Sequence, residues 1–199
     1  IPVIERIRSR HDICISIDTC KVAVMEAAVA AGASLINDIH ALRGDGALSA
    51  VARMDVPVCL MHMQGSPKTM QNNPHYSLDI IEELNRFFHQ RIDACEHAGI
   101  RRDRLIIDPG FGFGKSVQHN LQILKGLAAF QQHKLPVLLG VSRKSTLGDV
   151  LGTNVLERLS GALATAVFAA LNGVSIIRTH DIQETGQALQ MLDAIVNVS

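Results

Sequence analysis

Short apolar runs alternate with longer amphipathic stretches along the 199-residue chain. Six runs read as strands: ICISIDT (13–19), SLINDI (34–39), VCLMHM (58–63), LIIDPGF (105–111), PVLLGVS (136–142) and SIIRTHD (175–181). They are largely apolar rather than alternating, as parallel strands covered on both faces require. Between them, helical periodicity runs through Lys21–Gly32, Gly46–Met54, Ser77–Ala98, Val117–His133 and Asn154–Asn172, with a last helix from about Gln183 to Val198. Gly32, Gly99 and Gly173 stand where helices should stop and are predicted to cap them. The chain opens IPVIERIRSR, already in helical spacing at Ile1, Val3, Ile4 and Ile7. That reads as an entry into the middle of an element, so a fragment is expected.

Strand–helix alternation predicts a parallel sheet, closed or open. The strand ends separate the two. Nearly every run closes on polar residues: Asp18-Thr19, Asn37-Asp38, His62, Asp108, Ser142-Arg143-Lys144, Arg178 and His180-Asp181. A (β/α)8 barrel aims all its strand C-termini at one mouth, whereas a doubly wound sheet concentrates functional groups at a switch point. A complete barrel takes roughly 250 residues. The expectation is therefore an α/β chain of TIM (β/α)8 barrel type, here six β/α units with the first two strands missing. They form one domain over residues 1–199, without repeats, low-complexity segments or linkers.

Charge is balanced at 19 basic and 19 acidic residues, so no general field points to nucleic acid or a membrane surface. The longest apolar stretch, around Ala162 to Leu171, is too short to span a bilayer. Cys14, Cys20, Cys59 and Cys95 form no C-x-x-C pair and read as reduced thiols in a cytoplasmic protein.

The loop IIDPGFGFGKS (106–116) ends like a phosphate loop, but the spacing excludes that reading. A phosphate loop needs glycine where Pro109 stands, and the dinucleotide pattern needs a third glycine where Lys115 stands. Asp18, Asn37 and Asp108, each at a strand end, form an array of acceptors with some donors. Such an array suits a small planar heterocycle with N–H groups on its edge. Capping of the following helices is the competing job for Asp18 and Asn37. GVSRKS (140–145) and IIRTHD (176–181) place Arg143, Lys144, Arg178 and His180 on the last two strands, where barrels often bind phosphate. A solvated charged rim is the alternative there. His62 reads as a hydrogen-bonded structural residue. His11, His97 and His133 are expected at the surface, and Glu82, Glu83 and Asp93 on the solvated face of a long helix.

Taken together, ISIDTCK (15–21), LINDI (35–39), LMHMQGSPKTMQ (60–71), IIDPGFGFGKS, GVSRKS and IIRTHD resemble the dihydropteroate synthase family over essentially the whole chain. The resemblance implies a (β/α)8 barrel enzyme of folate biosynthesis and a target of sulfonamides. It joins 6-hydroxymethyl-7,8-dihydropterin pyrophosphate to p-aminobenzoate, releasing pyrophosphate and 7,8-dihydropteroate. It assigns the pterin to Asp18, Asn37, Asp108 and Lys144, with Met61 and Phe113 as apolar walls. Pyrophosphate goes to Arg178 and His180, and p-aminobenzoate to Ser142, Lys144, Ser145 and Phe113. Lys144, Asp108 and Arg178 are the implied catalytic residues. The implied mechanism is dissociative: pyrophosphate leaves, and the aniline nitrogen attacks a stabilised pterin methyl cation.

The resemblance also implies Mg2+, with its ligand expected in a missing N-terminal segment, and a homodimer through late helices. The family's Asn-Val-Thr-Pro-Asp-Ser-Phe strand and Glu-Ser-Thr-Arg-Pro-Gly loop are absent from this sequence. The segment alone is therefore expected to be inactive. A methyltetrahydrofolate-dependent methyltransferase and a non-catalytic pterin-binding paralogue are the alternatives; the cationic stretches disfavour the first.

Overall fold

The structure, a computed structural model, describes residues 1–65, 70 and 74–198. Residues 66–69 and 71 of the 60–71 motif lie outside the described residues. The chain divides into two compact units, Ile1–Met63 with Leu84–Asp108, and Gln64–Glu83 with Pro109–Ser199.

In the first unit α1 (Pro2–Arg8), β1 (Ser16–Asp18), α2 (Val22–Ala30), β2 (Leu35–Asp38), α3 (Ala47–Ala52) and β3 (Val58–Met61) follow in order. Most of α4 (Ile80–His97) and then β4 (Leu105–Asp108) complete it. The strands form one parallel sheet in the order β1-β2-β3-β4, with Ser16 beside Leu35, Ile36 beside Val58, and Val58 beside Leu105. β3 and β4 are buried along their length, which is why their sequences carry no in–out alternation. On α4, Leu84, Phe88, Ile92 and Cys95 are buried at helical spacing, while Glu82, Arg86 and His89 stay in water. Burying a side chain of this size contributes roughly 1.5–3 kcal/mol.

The second unit contains α5 (Val117–Lys125), β5 (Leu138–Gly140), α6 (Ser145–Leu151), α7 (Leu159–Leu171), β6 (Ile176–Arg178) and α8 (Ile182–Val196). β5 and β6 pair in parallel, Leu138 beside Ile176 and Gly140 beside Arg178. Ala162, Ala166 and Ala169 form the buried face of α7, and α7 packs on α8.

All six expected strands are present, each shorter than its apolar run. β4 stops at Asp108 because Pro109 has no N–H for the ladder and Gly110 turns to φ +67°. Gly32, Gly99 and Gly173 sit at φ +105°, +86° and +86°, as their capping role demands.

Three expectations are corrected. The helix read through His133 ends at Lys125 and continues as a 3-10 segment over Leu127–His133. The break falls at Gly126, where a Cβ would meet the Ile81 side chain at 2.6 Å. The helix read from Asn154 begins at Leu159, because Asn154 and Glu157 close a capping box around a separate 3-10 turn. His133 is buried rather than at the surface, carried inward by that 3-10 segment with Phe130. α6 was not read from the sequence at all. Cys14, Cys20, Cys59 and Cys95 are all free thiols, the last two buried.

Candidate active site

In the first unit, register builds the polar row. Asp18 pairs with Asn37, Asn37 with Cys59, and Met61 with Asp108. Side chains alternate along a strand, so Cys59 and Met61 share a face, and their partners Asn37 and Asp108 share it with them. Two acids, an amide, a thiol and a thioether thus line one surface at the C-terminal ends. The Asn37 amide donates to Asp18 Oδ1 at 2.7 Å. That bond fixes which way the amide points, because an ionised carboxylate can only accept. Asn37 Oδ1 is left buried without a hydrogen-bond partner among the described residues, while Asn37 and Asp108 are each 7 % exposed. A buried orphan acceptor is costly unless something donates to it.

Neither Asp18 nor Asn37 caps a helix. The N-caps of α2 and α3 are Lys21 and Gly46, both without a side-chain cap. Cys59, missed in the sequence, reports the acidity of the row. Burial first, then the charges of Asp108, Asp18 and Asp38, push its thiol well above the ordinary value, so it stays neutral. Met61 is buried, and His62 packs edge-on to Phe87 at 4.8 Å.

Asp38 points away from the row and is 1 % exposed. Its two oxygens accept from the backbone N–H groups of His40 at 2.9 Å and Leu42 at 2.8 Å. Between them Ala41 and Leu42 hold φ of 51° and 55°, left-handed without glycine. Arg91 of α4 donates to the carbonyls of the same two residues at 2.9 and 3.2 Å. Burial lowers the Arg91 pKa, with smaller opposing contributions from Cys95 and Asp38.

In the second unit, Gly110, Gly112 and Gly114 stand at φ +67°, +80° and +65°. Lys115 is buried, and its ammonium donates to the carbonyls of Gly110 and Phe113, both at 3.0 Å. The lysine that gives the loop its phosphate-loop look ties that loop to itself. Asn120, 1 % exposed, accepts from Gly112 N–H at 2.8 Å and donates to Thr146 on α6 at 2.9 Å. The Tyr76 hydroxyl donates to the Gly114 carbonyl at 2.7 Å, and burial, then Glu83, raises its pKa. No sequence signal marked Asn120, Thr146 or Tyr76. Lys144 donates to the Phe111 carbonyl, and its ammonium lies 4.7 Å from the Phe113 ring centroid and 5.7 Å from that of Phe111. Ser145 follows, exposed, as the first residue of α6.

Arg178, the last residue of β6, and His180 just beyond it are both exposed. Arg143, at φ 62°, forms an ion pair with Asp181 at 3.0 Å, and its carbonyl accepts from Arg158 at 3.0 Å. Ser142, buried, lies 3.0 Å from His180 Nδ1, accepts the His180 backbone N–H at 3.3 Å and donates to Asp181 Oδ2 at 3.4 Å.

Residues 1–180 match the pterin binding enzyme family. The chain is 49 % identical over 197 residues to the dihydropteroate synthase of Escherichia coli, covering 99 % of this chain and 70 % of that protein. The Yersinia pestis dihydropteroate synthase, solved with a sulfonamide drug complex, superposes with a TM-score of 0.96 at 46 % identity, covering 100 % of this chain and 72 % of that one. The Xanthomonas albilineans enzyme, solved with 7,8-dihydropteroate, gives 0.93 at 45 % identity, covering 100 % and 74 %. The fold class is that of these neighbours, the TIM barrel type, represented here by six β/α units. The chain belongs to the pterin binding enzyme family, among its dihydropteroate synthases.

Proposed function

We propose that Asp18, Asn37 and Asp108 receive the pterin edge of 6-hydroxymethyl-7,8-dihydropterin pyrophosphate, which the enzyme condenses with p-aminobenzoate to give 7,8-dihydropteroate and pyrophosphate in folate biosynthesis. The observation that carries this is the buried Asn37 Oδ1, unpartnered among the described residues, on a face shared with two carboxylates. An array of acceptors asks for a ligand edge rich in N–H donors, and a pterin has one. The carboxylates also favour the electron-poor ring that forms as pyrophosphate departs. Met61 supplies an apolar wall.

Arg178 and His180 serve pyrophosphate. Lys144 serves the pterin and, with Ser145 and Phe113, p-aminobenzoate. The Lys144 ammonium over the Phe113 ring supports that grouping by a cation–π contact. Mg2+ would neutralise charge on the leaving group. Among the described residues no three His, Cys, Asp or Glu side chains converge to hold a metal, and no step here runs through it. A homodimer is supported by the largely apolar groove of Ala170, Leu171, Leu189, Leu192, Asp193 and Val196, and by exposed Phe168 and Met191 on the same two helices. A cytoplasmic location is part of the same proposal. Among the described residues no helix is long and apolar enough to cross a membrane.

Calorimetric titration of the enzyme with pterin pyrophosphate and with methyltetrahydrofolate tests the reading. Pterin pyrophosphate should bind, and Asn37→Leu should weaken it by roughly 1.5–3 kcal/mol, the worth of a hydrogen bond to a polar ligand with a buried acceptor removed. Preference for methyltetrahydrofolate, or full affinity in Asn37→Leu, would overturn it.

A further inference from the structure

Asp181 occupies the N-cap of α8, where an aspartate ordinarily accepts from the first helical N–H groups. Its side chain makes no such bond. Its two oxygens turn instead to Arg143 at 3.0 Å and to the Ser142 hydroxyl at 3.4 Å. The local job of the residue is thus given up for one between the two loops that follow β5 and β6.

The hydroxyl decides what that job is. Ser142 Oγ carries a single proton, and its neighbour Asp181 Oδ2 can only accept. With the proton committed there, Oγ must accept from everything else around it. The His180 backbone N–H already donates to it at 3.3 Å, and His180 Nδ1 stands at 3.0 Å. Nδ1 therefore carries its hydrogen. Nε2 is left as the nitrogen that meets a ligand.

We propose that Asp181 and Ser142 are positioning residues for His180: through the Ser142 hydroxyl, the carboxylate holds the Nδ1–H form of the ring, so that any added proton resides on Nε2, facing the pyrophosphate oxygens. This rests on the reading of His180 as a pyrophosphate ligand. Neutral, this tautomer turns the Nε2 lone pair toward an anion; protonated, it turns a charge-assisted N–H donor there while its Nδ1–H stays on Ser142 Oγ. Arg143 and Arg158 act one layer further out. Arg143 anchors the second oxygen of Asp181, and Arg158 holds the Arg143 carbonyl in its left-handed turn. Ser142, assigned to p-aminobenzoate by the resemblance, has its hydroxyl engaged by this arrangement.

The test uses the enzyme labelled with 15N-histidine, reading the His180 ring nitrogens by long-range proton–nitrogen correlation, and titrates inorganic pyrophosphate calorimetrically. The unsubstituted ring should show Nδ1–H. Ser142→Ala and Asp181→Ala should shift it toward Nε2–H and weaken pyrophosphate about tenfold each, with the double variant little worse than either, as one shared interaction requires. Asp181→Asn keeps an acceptor for Ser142 and should restore the Nδ1–H pattern. Arg143→Ala should keep that pattern and lose less affinity than Asp181→Ala. An unchanged ring in Ser142→Ala overturns the proposal. So does an Arg143→Ala loss equal to that of Asp181→Ala, since Asp181 would then act through its ion pair. Failure of the unsubstituted enzyme to bind pyrophosphate overturns the functional reading instead, and the ring nitrogens still decide the tautomer.

Discussion

Two sharp turns follow strands in this chain, and they are built by opposite means. After β2 the backbone enters the left-handed region at Ala41 and Leu42, where a Cβ costs roughly 1–2 kcal/mol per residue. A buried carboxylate and a guanidinium offset that cost by holding four backbone groups, Asp38 from one side and Arg91 from the other. After β4 the same region is reached by Gly110, Gly112 and Gly114, for which it carries no steric cost, and Lys115 needs only to close the loop. One turn is held open by side chains; the other is permitted by their absence. The difference teaches where each is vulnerable.

The largest effect is expected at Gly114→Ala. A Cβ there would stand 2.6 Å from the Gln64 carbonyl oxygen and 3.1 Å from its backbone nitrogen, at a φ of +65°, so the nearest neighbour is backbone rather than the far end of a flexible side chain. A loss of about 3 kcal/mol or more in denaturant unfolding is expected, among the larger single-residue effects. Asp38→Ala comes next, at about 2–3 kcal/mol, because it strands two backbone N–H groups in a strained turn. Lys115→Met should cost about 1–3 kcal/mol through the Gly110 and Phe113 carbonyls, and it should not behave as the loss of a phosphate ligand. An Asp38→Ala variant as stable as the parent would break the comparison.

A smaller effect depends on pH. His119 closes a capping box at the start of α5, its Nδ1 accepting from Ser116 N–H at 3.3 Å while Ser116 Oγ accepts from His119 N–H at 3.1 Å. Burial, then Lys115, then His75 lower its pKa from 6.5. The folded chain then binds fewer protons here than the unfolded one, so stability is complete above the ordinary histidine value and falls as pH drops through the lowered one. Melting temperatures between pH 7.5 and 5 should show that slope, and His119→Gln should flatten it. Smallest of all is Ala41→Gly. Relief of the left-handed strain is nearly cancelled by the lost methyl burial and the added chain entropy, so a change within about 0.5 kcal/mol is expected. Near-neutrality at 41 beside collapse at 114 is the sharpest form of the contrast.

The sequence announced one of these turns and concealed the other. Three alternating glycines after LIID cannot be overlooked, but Ala41-Leu42 carries no mark of a left-handed turn, since the cause lies in Arg91, fifty residues from Ala41 along the chain. Strands were legible because parallel strands are apolar throughout, and their polar ends named Asp18, Asn37 and Asp108 without help from the structure. Cys59 was hidden because a buried thiol in an apolar run looks like core until the register sets it beside Asn37. α6, which starts on the last residue of GVSRKS, was hidden because STLGDVL contains Thr146, Gly148 and Val150, none a good helix former. Arg143 was counted among the cations of an anion site, but Asp181 takes up its guanidinium. Pairing of this kind depends on which loops meet, and composition does not record that.

The glycine loop has a further consequence, for escape from inhibition. At Gly114 every other amino acid adds a Cβ against the Gln64 backbone, and at Gly112 one would stand 3.0 Å from the Lys144 side chain. At both positions the left-handed φ strains any residue but glycine, so heritable variation there is narrow. A compound shaped to the path of this loop, rather than to the phenylalanine between the two glycines, meets a backbone that substitution at 112 or 114 cannot redraw without strain.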